Sequence, residues 1–286
     1  MLSEIVAGLW RLHEWRLDVP ARVRWIEQAL ELGITSFDHA DIYGGYGVEA
    51  LFGEALAAAP GLRERLQIVT KCGIRLVSPA RPQNRAHAYD SSRAHVLASV
   101  DASLAALRTD LIDLLLIHRP DLLMQPDELA DTFRALQAAG KVQAFGVSNH
   151  GPRAFEMLHR RFPLATNQVE LSPLQMAALA DGTLEQAVDL GLRPMAWSPL
   201  GRGLLFGDDE HARRVRGLLE ELGRPLGVSA ATMAYAWIRR HPSRPRPITG
   251  TGRAEGLREA VAALGVELSA EDWYRVWQAS MGHALP

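Results

Sequence analysis

The chain has 286 residues, 48% of them hydrophobic and 22% charged, with a formal net charge of −2. That balance fits a folded protein with a sizeable core and speaks against a nucleic-acid or acidic-membrane partner. A single cysteine, Cys72, rules out an intrachain disulfide and suits a reducing compartment. No signal-like leader opens the sequence, and no apolar run nears the ~20 residues of a membrane helix, so it reads as cytoplasmic.

Short apolar runs alternate with longer amphipathic stretches. The runs predict strands at 5–9, 35–38, 66–71, 112–117, 144–147, 165–169, 193–197 and 247–249. Each is brief and mostly apolar, as parallel strands buried on both faces are. Between them, 20–32 places Val23, Ile26, Ala29 and Leu30 on one helical face. The stretch 92–107 does so with Val96, Val100, Leu104 and Leu107, and 126–139 with Leu129, Phe133 and Leu136. Gly33, Gly140 and Gly191 follow helical patterns and read as C-terminal stops, while Asp90, Ser91 or Ser92 caps the helix after it. Long polar loops follow the third strand at 75–89 and the seventh at 201–209. Trp273, Tyr274 and Trp277 at helical spacing predict an extra helix in the tail, 269–286.

Eight strand–helix units indicate an α/β fold: a (β/α)8 TIM barrel spanning residues 1–286 as one domain, with a C-terminal extra helix and a shortened N-terminus. An open doubly wound sheet is the competitor. It calls for a glycine-rich phosphate turn after the first strand, where this chain has Gly8-Leu9-Trp10-Arg11.

Polar residues end three successive strands. Thr35-Ser36-Phe37 runs into Asp38, Ile68-Val69-Thr70 into Lys71, and Leu114-Leu115-Leu116-Ile117 into His118. In a barrel all three belong to the C-terminal mouth. Tyr43 lies five residues beyond Asp38, in a glycine-rich loop. The set is chemically coherent. An ammonium at Lys71 favours the phenolate and lowers the pKa of Tyr43, which Asp38 assists by keeping Lys71 charged. His118 orients a carbonyl oxygen, and Tyr43 protonates it as hydride arrives at carbon. Each residue alone has an ordinary structural reading; their joint occurrence at neighbouring strand ends favours catalysis.

The surrounding motifs resemble the aldo-keto reductase superfamily. They are Phe37-Asp38-His39-Ala40-Asp41-Ile42-Tyr43-Gly44, Thr70-Lys71-Cys72-Gly73, Asp113 through Pro120, Gly140-Lys141-Val142, Gly146-Val147-Ser148-Asn149, Asn167-Gln168-Val169-Glu170 and Ala196-Trp197-Ser198-Pro199-Leu200-Gly201. Tyr43-Gly44-Gly45-Tyr46, Ile117-His118-Arg119-Pro120-Asp121 and the run Met195 through Leu200 are similar to a bacterial branch of predicted oxidoreductases. The resemblance implies an NADPH-dependent reductase of aldehydes or ketones, NADH being a possible cofactor, with a small-molecule carbonyl substrate. It implies that Ser148, Asn149 and Gln168 bind the nicotinamide carboxamide and that Trp197 stacks on the ring. It further implies that Ser198, Leu200 and Gly201 wrap the pyrophosphate, and that Trp10 and Arg11 lie near cofactor and substrate.

The segment after the last strand matches the family's 2′-phosphate region through Gly250, Thr251, Gly252, Arg253 and Glu259. Relatives often carry Arg where this chain has Gly256 and Asn where it has Ala260. Arg253 is then the expected substitute cation, with Arg258 a weaker one. His150 stands where relatives often have an aromatic. Two other readings exist. A metal-dependent hydrolase would draw on Asp38, His39, Asp41, His118 and His150, but strand alternation turns His39 away from Asp38 and no His-X-His occurs, so no metal is expected. The other is an NADP(H)-binding regulatory or redox-sensing barrel with little turnover.

Overall fold

The computed structural model describes residues 2–284. The tail's last two positions, Leu285 and Pro286, lie outside the described residues. The strands in chain order are β1 (Val6–Gly8), β2 (Ser36–Asp38), β3 (Gln67–Cys72), β4 (Ile74–Arg75), β5 (Ala88–Tyr89), β6 (Ile112–Ile117), β7 (Val142–Ser148), β8 (Asn167–Glu170), β9 (Met195–Trp197) and β10 (Arg246–Thr249). Eight of them close into a barrel in the order β1-β10-β9-β8-β7-β6-β3-β2. Every one of these eight overlaps a strand predicted from the apolar runs. The remaining pair, β4 and β5, forms a small antiparallel ribbon.

The ribbon pins together the two ends of the long polar loop expected over 75–89. Ile74 pairs with Tyr89 and Arg75 with Ala88. Arg75 donates to Asn84 Oδ1 and Asp90, and Asn84 returns a bond to the Leu76 carbonyl. These contacts fold back a segment whose side chains carry little apolar signal.

The chain divides into two compact units, Met1–Gln168 and Val169–Pro286. In the first, β1 pairs with β2, β2 with β3, β3 with β6 and β6 with β7, all parallel. The register sets Gly8 beside Asp38 and Lys71 beside Leu116, so the polar ends of neighbouring strands emerge at one rim. The helix Val19–Glu31 starts at Asp18, whose carboxylate accepts from the Ala21 N–H, and stops before Gly33, which takes a left-handed φ of 78°. From this helix Trp25 meets Phe37 edge-on, and Phe37 in turn meets Phe52 at a tilt. Ser92 caps the helix Arg93–Leu107, with Asp90 accepting from the Ser92 hydroxyl.

In the second unit, Trp237 and Trp273 stack at 5.1 Å and exchange indole N–H to carbonyl bonds. The predicted tail helix is Ala270–Met281, and its Trp273 serves this packing. A bonded, stacked pair of this kind fastens the last helix onto the helix Ala230–Arg239.

Candidate active site

In the first unit Asp38 ends β2 and Lys71 lies in β3, both fully enclosed by the surrounding protein. Lys71 Nζ donates to Asp38 Oδ2 at 2.7 Å, to the His39 carbonyl at 2.7 Å and to Tyr43 Oη at 3.1 Å. All three ammonium donors are thereby used. The Tyr43 ring also lies under the ammonium, 4.9 Å from it. Gln168 Nε2 donates to the other Asp38 oxygen at 2.8 Å. A buried carboxylate is tolerable only with such partners. The His39 carbonyl is a participant that sequence reasoning missed, because a backbone acceptor leaves no side-chain signal.

Burial acts to lower the pKa of Lys71, but the charge and hydrogen bonds of Asp38 and Tyr43 outweigh it and hold the ammonium protonated above its ordinary value. Burial pushes Asp38 upward, partly offset by Lys71 and Gln168. Tyr43 departs from expectation. Its pKa is raised, because burial of the phenolate outweighs the attraction of Lys71, and the Asp38 charge adds to the rise. The phenol is therefore a hydrogen-bonded neutral acid rather than one primed toward ionisation.

His118 follows β6, and its ring meets Tyr43 edge-on with centroids 6.0 Å apart. Burial, then the charges of Lys71 and Arg119, hold the imidazole well below its ordinary pKa, so it is neutral. Its Nδ1 has no hydrogen-bond partner among the described residues. Arg119, the next residue, is a further cation whose charge reaches both Tyr43 and His118. Its place directly after His118 was the only sequence signal for it.

Ser148 ends β7, and its hydroxyl donates to the Gln168 carbonyl at 3.0 Å. Asn149 takes a left-handed φ of 58° and donates through Nδ2 to Ser148 Oγ. Its backbone N–H also donates to the Gln168 carbonyl. The three residues thus form one bonded group, joined to Asp38 through Gln168. Trp10 is about half exposed, with the Arg11 guanidinium 5.2 Å from its ring.

His39 is fully buried against Phe52, 4.5 Å between ring centroids, with neither ring nitrogen hydrogen-bonded. Burial lowers its pKa to about 3. His150 is likewise buried, with Nδ1 against the Ser148 carbonyl, and lowered to about 4. Among the described residues no group of three or more His, Cys, Asp or Glu is arranged to hold a metal ion. Among the same residues no helix is long and apolar enough to cross a membrane.

In the second unit Trp197 ends β9 with its ring partly exposed. The turn that follows carries left-handed φ at Ser198 (54°), Gly201 (58°), Arg202 (60°) and Gly203 (97°). A Cβ at Gly201 would come within 3.0 Å of Leu174 Cδ1, so glycine keeps bare backbone there. Leu200 precedes the short 3-10 helix Gly201–Phe206, which replaces part of the predicted 201–209 loop. The Arg202 guanidinium lies 5.2 Å from the centroid of the partly exposed Trp197 ring, beside this glycine-bearing turn.

Gly250, Thr251, Gly252 and Arg253 lie between β10 and the helix Ala254–Ala262, for which Arg253 is the N-cap residue. The Arg253 N–H donates to Thr251 Oγ1 at 3.1 Å, and its side chain is exposed. The Glu259 carbonyl accepts from the Thr232 hydroxyl. A Cβ at Gly256 would meet Thr251 Oγ1 at 2.7 Å. An Arg at 256 therefore requires the Thr251 side chain to move. Ala260 is fully buried.

The family model described as Aldo/keto reductase family matches residues 4–280. Oxidoreductase YdhF of Escherichia coli (strain K12) is 48% identical over 287 residues, covering 99% of this chain and 95% of the relative. A 6-dehydroglucose reductase of Agrobacterium fabrum is 43% identical over 286 residues, covering 98% and 95%. The solved structure of the glycerol dehydrogenase AKR11B4 from Gluconobacter oxydans superposes with a TM-score of 0.85 at 27% identity, covering 99% of this chain and 92% of that one.

Proposed function

Because this chain belongs to the aldo/keto reductase family and is thereby an NAD(P)H-dependent oxidoreductase of carbonyl compounds, we propose that it uses NADPH and that Tyr43 is the proton donor. The observation that carries this reading is the buried chain of contacts Asp38–Lys71–Tyr43. The bound nicotinamide supplies a hydride to the carbonyl carbon. The residues supply the rest. Tyr43, a neutral phenol beside a fixed ammonium, donates its proton to the carbonyl oxygen as negative charge builds there. Lys71 stabilises the phenolate left behind, and Asp38 keeps Lys71 charged and aimed. His118, neutral at the edge of the Tyr43 ring, orients the carbonyl oxygen.

Ser148, Asn149 and Gln168 would hold the carboxamide, and Trp197 would stack on the nicotinamide ring. Ser198, Leu200 and Gly201 would receive the pyrophosphate, with Trp10 and Arg11 close by. Gly250, Thr251, Gly252, Arg253 and Glu259 would form the adenosine end, where exposed Arg253 would supply the cation for a 2′-phosphate. The printed name of the Agrobacterium relative makes an oxidised sugar aldehyde a first substrate to try. The test is NADPH oxidation against a panel of aldehydes, ketones and dicarbonyls, with Tyr43→Phe as the comparison. Activity that depends on the Tyr43 hydroxyl supports the reading; equal activity in the variant overturns it.

A further inference from the structure

Trp197 carries a cation. The Arg202 guanidinium lies 5.2 Å from the centroid of its ring, and the same guanidinium reaches Glu170 Oε1 at 3.5 Å. Glu170 ends β8 and Trp197 ends β9, so residues at two strand ends contact the arginine. The backbone conforms to this placement. Arg202 holds φ 60° and ψ 22°, a region that costs a side-chain-bearing residue energy. A strained residue whose side chain is then held by two named partners is built for a position. A cation over an indole face draws on the ring's negative face.

We propose that Arg202 is a positioning residue that biases this site against the oxidised cofactor. The inference rests on the reading of Trp197 as the surface that stacks on nicotinamide. The reduced nicotinamide ring is neutral and the oxidised ring carries a positive charge. A guanidinium held on Trp197 repels the second and not the first. The Glu170 carboxylate tempers that repulsion by partly neutralising Arg202. Any contact the held Arg202 makes with the phosphates falls equally on both forms. The ratio of the two affinities therefore isolates the charge effect.

The experiment is calorimetric titration of the wild-type protein with NADPH and with NADP+ separately, without substrate and at low salt. The same titrations are run on Arg202→Met, Glu170→Gln and Trp197→Leu. Arg202→Met is expected to lower Kd(NADP+)/Kd(NADPH) by about two- to fivefold, the effect of one half-exposed charge. Glu170→Gln is expected to raise the ratio. An unchanged ratio in both variants, or equal weakening of both forms by Arg202→Met, overturns the proposal while Trp197→Leu still weakens both forms. If Trp197→Leu leaves both affinities unchanged, the stacking surface itself is misassigned and the proposal falls with it.

Discussion

The Lys71 ammonium donates to Asp38 Oδ2 at 2.7 Å with both side chains buried. Burial alone lowers the Lys71 pKa, and Asp38 together with Tyr43 reverses the sign. Asp38→Asn should therefore leave a buried amine without its counter-charge. Breaking a buried pair by removing one partner costs about 3–5 kcal/mol. Urea denaturation should show a loss of that order. The kcat for carbonyl reduction should fall about tenfold or more as Lys71 loses its charge and its aim on Tyr43. Unchanged stability and rate would show that the pair is incidental.

The raised pKa of Tyr43 fixes the sign of a pH effect. With Tyr43 as the proposed proton donor, reduction needs the protonated phenol, so kcat/KM should stay level from neutral into alkaline pH. It should decline only as pH rises through a value above the ordinary ~10 of tyrosine. His118 is held neutral well below its ordinary range and should add no step near pH 6.5. A pH–rate profile with a limb centred near neutrality would contradict this assignment.

The unpartnered imidazole of His39 makes the fold acid-sensitive. Its folded pKa of about 3 lies below the unfolded value of ~6.5. The unfolded chain thus binds the extra proton first. Stability is fully present above the unfolded value and is lost as pH falls toward the folded one. At pH 5 the loss is about 2 kcal/mol from this residue. His150, lowered to about 4, adds a similar amount. His39→Leu should reduce the difference between urea stability at pH 7 and pH 5 by that one share. An unaltered difference would show that His39 is solvated or partnered in solution.

Much of this site was legible in the sequence for a physical reason. Strands buried on both faces leave runs such as Leu114 through Ile117 with no polar residue until the rim, so the first polar side chain marks the functional end. His118 was found that way, and Asp38 and Lys71 as the first charged residues after runs whose only earlier polar side chains, Thr35, Ser36 and Thr70, are small and uncharged. Features that depend on three-dimensional burial were not. The upward shift of Tyr43 follows from its enclosure, the His39 contribution from a backbone carbonyl, and the ribbon β4–β5 from contacts of Arg75 and Asn84 across a polar loop. Gly256 read as a missing arginine, and its close approach to the Thr251 side chain is a contact that only the folded chain reveals.

On the proposed reading, cofactor choice turns on Arg253, the exposed N-cap residue of the helix Ala254–Ala262. Wild-type kcat/KM should favour NADPH over NADH. Arg253→Ala should lower the NADPH value about tenfold, as loss of one charge-assisted contact does, and leave the NADH value nearly unchanged. A wild-type preference for NADH would remove Arg253 from the role.

The most direct measurement is the single-turnover rate of hydride transfer in Tyr43→Phe, with NADPH pre-bound and its Kd measured in the same preparation. The hydroxyl touches Lys71 Nζ at 3.1 Å, while its ring packs against His118. The variant should bind NADPH as the wild type does and transfer hydride about 10²–10⁴-fold more slowly. Hydride transfer at the wild-type rate, with cofactor bound, would contradict the assignment of Tyr43 as the acid.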